Sequence, residues 1–406
     1  MRAREGMVIS RRSFLHAAGL SFAALAVAPV RAFQREAKQV KIDRIQVFPV
    51  RYPTVGRFKF FKDGRPAVIV KVTGDDGTVG WGQSVPIPTW SYETLESTAT
   101  SLERYITPAL IGRDPFDLDG AHQAMDRAIS PSFSTGMPIA KAGVDLALHD
   151  LTGKILGESV AQRWGRPSGG EVILSWTLNP QTLDEIDPLI DQGWERGYRN
   201  FNVKVAPDPN FDLELCRRLK QRVPDGFLWA DANGGYDLAT ALWVAPKFAD
   251  IGVSVFEQPI RANRLAGYRD LKRQGALPII LDEGVVSPAD LVEFIRLDLL
   301  DGVAMKPARC GGLLSARRQV EILLDAGLMF LGSGLTDPDI SLAASLALYA
   351  AYGLRFPAAL NGPQFLGHSV LATPRQPVNG TLPAPSGPGL GVEVDEAKIE
   401  PILVRV

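Results

Sequence analysis

The fold class predicted by this sequence is α/β: a closed β/α barrel preceded by a smaller α+β unit. Three observations predict it. From about Glu171, eight short apolar runs alternate with amphipathic segments: "VILSWTL", "NFNVKV", "GFLWAD", "VSVFE", "PIILDE", "DGVAMK", "LMFLGS" and "PAALNG". Alternation of this kind requires a parallel sheet, and eight repeats allow it to close. Before Glu171 the order differs, with strands first and helices after. Finally, the middle runs end in charged residues at nearly constant intervals, as if one structural unit were being repeated.

Taken in order, the first 32 residues stand apart. Arg11 and Arg12 precede a Phe-Leu pair, an apolar stretch from Ala17 to Val30 and small residues ending at Ala32. That is the layout of a twin-arginine export signal, so cleavage near Ala32 and a periplasmic or other extracytoplasmic location are expected. The stretch falls short of the roughly 20 apolar residues that a membrane span needs, and no anchor is expected after cleavage. Over 38–155, "VKIDRIQVFPV", "AVIVKVTGDDG" and "TVGWGQ" read as three strands, the last two joined by a Gly-Asp-Asp-Gly turn. Three helical patterns follow, and the last, "PIAKAGVDLALHDLTGKILG", stops at Gly157 as a helix C-terminus should. The barrel is expected over 165–375. Its helices include "DLELCRRLKQRV", "PADLVEFIRLDL" and "LSARRQVEILLDAG". Residues 376–406, rich in Pro and Gly and ending in the short β run "IEPILVRV", are expected to pack back on the first unit.

Bulk properties narrow the partners. The 406 residues carry 44 Lys+Arg against 45 Asp+Glu, with no basic block, which argues against nucleic acid and leaves a small molecule as the expected ligand. Cys216 falls in a helical pattern and Cys310 in a loop, so both are expected as free structural thiols.

Lys204, Asp231, Glu257, Asp282 and Lys306 end successive runs, with separations of 27, 26, 25 and 24 residues, each one β/α unit. In a barrel all C-terminal strand ends open on one mouth, where active sites are built, so these five side chains are expected to converge there. Three carboxylates meeting without partners would repel, and a hard divalent cation resolves the repulsion. Oxygen ligands favour Mg²⁺, with Mn²⁺ as a possible substitute, and zinc is disfavoured because the barrel region holds one histidine, His368. The two lysines then flank the metal. Each alone reads as a salt bridge, but together around three acids they read as proton-transfer groups, their pKa values lowered by the metal and by desolvation.

The ordered motifs "DAN" at Asp231, "FEQP" at Glu257, "DEG" at Asp282 and "MKPARCGGL" at Lys306 resemble those of the enolase superfamily, in the muconate-lactonizing subgroup of the mandelate racemase and muconate lactonizing enzyme family. The resemblance runs from about residue 40 to the end. It implies a modified (β/α) TIM barrel with an N-terminal α+β capping domain completed by the C-terminal segment. It further implies Mg²⁺ on Asp231, Glu257 and Asp282, a substrate carboxylate on the metal, and Lys204 and Lys306 as an acid/base pair. The chemistry implied is removal of the α-proton of a carboxylate to give a metal-stabilised enediolate. Asn233 and Glu283 would orient the ligands.

Two positions depart from the family pattern. Asn202 stands where the family usually has a lysine, leaving the site less positive, and Asp337 stands where relatives commonly have a glutamate facing the substrate carboxylate. Aromatics in the capping loops, Phe58, Phe60 and Phe61 in one and Trp90 and Tyr92 in another, are expected to line the substrate pocket and to favour an apolar or ring-containing acid. The expected reaction is racemisation or epimerisation of an amino-acid derivative, with muconate-type cycloisomerisation and dehydration of a hydroxy acid as alternatives. The lack of a His-Asp pair on the later strands argues against the mandelate racemase and sugar-acid dehydratase subgroups. Outside catalysis, the alternative is an exported carboxylate-binding protein on a decayed barrel. A homo-oligomer is the expected assembly.

Overall fold

The structure, a computed structural model, describes residues 40–132 and 134–406. The export signal expected over 1–32 lies outside the described residues. Among them, no helix is long and apolar enough to cross a membrane.

Strands β1 (Ile42–Tyr52), β2 (Arg65–Gly74) and β3 (Val79–Ser84) form an antiparallel sheet in sequence order. The helix Pro138–Leu156 packs on this sheet and is buried over most of its length. Glycine makes the contact possible, since a Cβ on Gly82 would run into the Gly143 carbonyl oxygen. Buried carboxylates on this helix serve as ties. Asp150 accepts from the Trp81 and Leu390 amides at 2.8 and 2.9 Å, and Asp145 accepts from the Leu313 amide, so one helix joins the cap, the barrel and the tail. The C-terminus follows the same logic, with the Val404 amide donating to the Pro49 carbonyl at 3.0 Å. The expected strand in "IEPILVRV" is not formed. Pro401 favours a 3₁₀ turn, Glu400–Ile402, and only Leu403 bridges to Val50.

The barrel differs from eight equal strands at its seam. β4 (Glu171–Ile173) leaves the barrel to pair antiparallel with β12 (Thr381–Pro383). β5 (Trp176–Leu178), β6 (Phe201–Lys204), β7 (Leu228–Asp231), β8 (Val255–Glu257), β9 (Ile279–Leu281), β10 (Gly302–Met305) and β11 (Met329–Gly332) make a seven-stranded parallel sheet in sequence order. The eighth run, around Ala358, is reduced to isolated bridges. Ala359 donates to Gly332, Ala358 to Ile173, and Ser175 to Ala358, so a few hydrogen bonds close the ring. Pro357, which has no N–H to give, explains why the ladder does not extend backward from Ala358.

Side chains from successive strands fill the interior: Trp229, Val255, Ile280, Ala304, Leu331 and Ala359 form one buried cluster. Strand side chains alternate faces, so the residue two positions further points the same way and lies nearer the mouth. That rule converts the packed layer into a polar one: Asp231 above Trp229, Glu257 above Val255, Asp282 above Ile280 and Lys306 above Ala304. The barrel filling is therefore the floor of the site. Trp229→Ala should lower the unfolding free energy by about 3–5 kcal/mol in urea denaturation. A loss under about 1 kcal/mol would show that this layer is not packed.

Candidate active site

Register sets the first three groups side by side, since Lys204 pairs with Asp231 across β6 and β7, and Asp231 with Glu257 across β7 and β8. The Lys204 ammonium donates to Asp231 Oδ2, and the Lys306 ammonium donates to Asp282 Oδ2 and lies 3.5 Å from Glu257 Oε1. Asp231, Glu257 and Asp282 are almost fully buried. The five residues expected to converge therefore do so.

Electrostatics at the mouth are strained toward negative charge. Burial, followed by the neighbouring charge of Asp231, pushes the Glu257 carboxyl well above its usual range. Glu283 is pushed up to about 8 by burial and then by Asp282. Burial also disfavours the charge on Asp231, yet Lys204, Lys59 and Lys306 hold its carboxyl below the usual range. Lys204 is expected to have a lowered pKa, and here it is raised: burial works downward, but Asp231, Glu257 and Asp282 outweigh it. In this arrangement Lys204 is an ammonium bonded to its acid.

Among the described residues, no three His, Cys, Asp or Glu side chains are gathered into a closed cation cage. The lysines lie between the acids, and each of the three carboxylates faces an ammonium, Glu257 at the longer distance of 3.5 Å. The donor set nonetheless fits a hard divalent ion. Three oxygen-bearing side chains come from adjacent strands, the buried carboxylates exceed what the lysines balance, and Asn233 Oδ1 and Glu283 Oε2 are buried without hydrogen-bond partners.

Over this layer lies a small pocket, lined by Asn202, Lys204, Asn233, Asp282, Lys306, Ser333 and Asn361 on its polar side and by Phe58, Phe60, Ile87, Trp90 and Leu335 on its apolar side. The cap supplies most of the apolar wall. Trp90 places its ring centroid 5.5 Å from the Lys306 ammonium, a cation–π contact across the two parts. Phe58 stacks on Phe365 with centroids 4.7 Å apart.

Several expectations need correcting. Phe61 does not line the pocket; it is buried beneath the Arg65 guanidinium at 4.9 Å. Tyr92 is 64 % exposed and donates its hydroxyl to the Thr135 carbonyl, outside the pocket. Asp337 is not presented to a substrate. It is buried, accepting from the Leu335 amide and the Ser345 hydroxyl at 3.2 Å each, because its arm is short enough to close on its own loop. Asn233 and Glu283 do meet, at 3.5 Å, with Asn233 at a positive φ of 45°. Asn202 is buried in the pocket with neither side-chain polar atom paired.

Residues not anticipated hold the acids in place. Arg309 donates to Asp282 Oδ1 and to the Ala304 carbonyl. Gln258 accepts from the Asp282 and Gly284 amides at 2.9 and 3.3 Å, fixing the end of β9. Both lie inside motifs that mark the ligands, within three residues of Lys306 and Glu257, and that proximity is the only sequence signal they give.

These strand-end acids, flanking lysines and cap coincide with matches to known families. Residues 187–398 match the model described as Enolase C-terminal domain-like, and residues 48–165 match the Mandelate racemase / muconate lactonizing enzyme, N-terminal domain. The chain belongs to the mandelate racemase and muconate lactonizing enzyme family of the enolase superfamily. Among its family relatives, a chloromuconate cycloisomerase of Pseudomonas sp. (strain P51) is 31% identical over 357 residues, covering 86% of this chain and 95% of the relative. An N-succinyl-L-Arg/Lys racemase of Bacillus cereus is 26% identical over 377 residues, covering 90% and 98%. A muconate lactonizing enzyme from Pseudomonas fluorescens, solved in complex with muconolactone, superposes with a TM-score of 0.84 at 26% identity, covering 90% of this chain and all of that one. These relatives are isomerases, and this family member is an enzyme of that class.

Arg65, which the sequence gives no reason to single out, joins cap to pocket. Fully buried at the start of β2, its guanidinium reaches the carbonyls of Pro66, Val85, Pro86 and Leu335. Leu335 belongs to the pocket wall. Arg65→Met should therefore lower unfolding free energy by at least about 2 kcal/mol in chemical denaturation, since a buried carbonyl without a donor costs roughly 1–3 kcal/mol. An unchanged midpoint would show that water replaces the guanidinium without cost.

Proposed function

We propose that the enzyme is a cycloisomerase of unsaturated dicarboxylates of the muconate type. The observation that carries this is the pair of lysines flanking a buried carboxylate triad beneath a pocket with an aromatic wall and unpaired amide groups. Racemisation of an amino-acid derivative, expected from the sequence, has less support. Asp337 bonds its own loop, and Asp339 accepts from Ser369 and the Val370 amide, so neither acid is free for an amino group. At the end of the eighth run stands Asn361, a neutral amide whose Nδ2 donates to the Thr177 hydroxyl at 3.3 Å. The relatives with 31% identity also favour cycloisomerisation.

Asp231, Glu257 and Asp282 are the residues that would hold a divalent cation, Mg²⁺ by their oxygen chemistry, with Asn233 and Glu283 orienting them. When bound, the ion supplies positive charge against which enediolate oxygens can form. For that, Lys204 and Lys306 release carboxylate oxygens and turn their ammonium groups to the substrate. One substrate carboxylate oxygen adds to the conjugated C=C bond, forming the ring C–O bond, and the π pair moves into the other carboxylate as an enediolate. Lys204 then gives its proton to the α-carbon and is reprotonated from water. Lys306, on the other flank, stabilises the developing charge, while Trp90 and the cap phenylalanines exclude water.

Purified protein with Mg²⁺ should consume cis,cis-muconate, read as loss of conjugated-diene absorption, and Lys204→Ala and Lys306→Ala should each lower kcat by about 10²-fold or more. If instead no lactone forms while N-succinyl amino acids exchange their α-proton in D₂O, racemisation is the activity and cycloisomerisation is rejected.

A further inference from the structure

The two lysines differ in how their backbones are held. Lys204 ends β6 within the ladder to β7, and among the described residues no side chain bonds the peptide group that precedes it. Lys306 follows the last residue of β10, and the peptide groups on both sides of it are gripped. Its own carbonyl accepts from the Arg309 amide at 3.0 Å and from the Cys310 thiol at 3.2 Å. On the other side, the Met305 carbonyl belongs to the same peptide group as the Lys306 amide. The Tyr349 hydroxyl meets it at 2.5 Å.

Tyr349 lies on the helix Asp339–Ala351 and is fully buried. Its hydroxyl enters where the pairing of β10 with β11 ends, just beyond Met305 and Gly332. There it also lies 2.5 Å from the Ser333 carbonyl oxygen and accepts from the Ser333 amide at 3.1 Å, while that amide donates to the Met305 carbonyl at 2.9 Å. One O–H thus closes a junction between the peptide that leads into Lys306 and Ser333, a residue of the pocket wall. The strand makes room for it, since a Cβ on Gly332 would come within 2.8 Å of the Tyr349 ring. The ring itself packs against Phe330, centroids 5.8 Å apart, a contact that phenylalanine would make equally well. The oxygen is what the backbone uses. Lysine is a long arm, so a small turn of the peptide at its base is multiplied at the ammonium, which here must reach Asp282 and Glu257.

We propose that Tyr349 is a positioning residue that acts through Lys306, its hydroxyl fixing the Met305–Lys306 peptide and thereby the direction of the ammonium. This rests on the role given to Lys306 in the proposed function, and the test separates the two. Tyr349→Phe removes one oxygen and keeps the ring. Turnover of cis,cis-muconate with Mg²⁺ should fall about tenfold in kcat with KM held within about twofold, as displacement of a reacting group does. Placed in a Lys306→Ala background, the same substitution should cost less than about twofold more, because the group it acts through is gone. Independently of turnover, brief acetylation with acetic anhydride, read peptide by peptide by mass spectrometry, should label Lys306 several-fold faster in Tyr349→Phe and Lys204 at the wild-type rate. A displaced ammonium spends less time on its carboxylates.

Unchanged kcat with unchanged labelling of Lys306, a full further loss in the Lys306→Ala background, or equal acceleration of labelling at Lys204 and Lys306 would each overturn the assignment, the last by showing general loosening. If the wild type consumes no cis,cis-muconate, the cycloisomerase reading fails on its own. Labelling then decides: selective acceleration at Lys306 supports the role of Tyr349, and equal rates in variant and wild type reject it.

Discussion

Carboxylates from three neighbouring strands point into one barrel mouth, and the rest of the structure is arranged around the cost of holding them there. Burying an unpaired carboxylate is expensive, and burying three near one another is more so. In this molecule cationic side chains meet the cost in part: Lys204 bonds Asp231, and Lys306 with Arg309 bonds Asp282. Glu257 is left with Lys306 at 3.5 Å and a carboxyl pushed well above its usual range by burial and by Asp231. A site that compensates its acids only partly has a use for additional positive charge, and the proposed divalent ion is the simplest source of it.

The barrel makes this concentration of charge possible because its geometry is indifferent to what the mouth contains. One layer of apolar side chains, Trp229 through Ala359, packs the interior, and the next residue on the same face of each strand is free to be polar. Supports then come from a step away. Gln258 pins the end of β9, Arg309 pins Asp282, and Arg65 gathers carbonyls from the cap and from the pocket loop at Leu335. The cap is more than a cover, since Trp90 meets Lys306 and Phe58 and Phe60 line the pocket.

Much of this was legible in the sequence, for a physical reason. A β/α repeat has a nearly fixed length, so chemistry placed at strand ends recurs at nearly fixed intervals, and the regular steps from Lys204 to Lys306 imply the convergence. Strand alternation gave the fold. What stayed hidden depends on contacts distant in sequence. Arg65 reaches Leu335 across 270 positions, and nothing near Arg65 announces it. The errors share a cause: Phe61, Tyr92 and Asp337 sit in the right loops, but side-chain direction within an irregular loop follows from packing, not from periodicity. Closure of the barrel by isolated bridges at Ala358 and Ala359, where a full strand was expected, was likewise decided by a proline and by β4 leaving to pair with β12.

The most direct test of the central claim is a calorimetric titration of the purified protein with Mg²⁺, run beside the Asp231→Asn variant. The account predicts saturable uptake of one ion per chain by the native protein and its loss in the variant. No uptake by the native protein, or uptake that Asp231→Asn leaves unchanged, would contradict it.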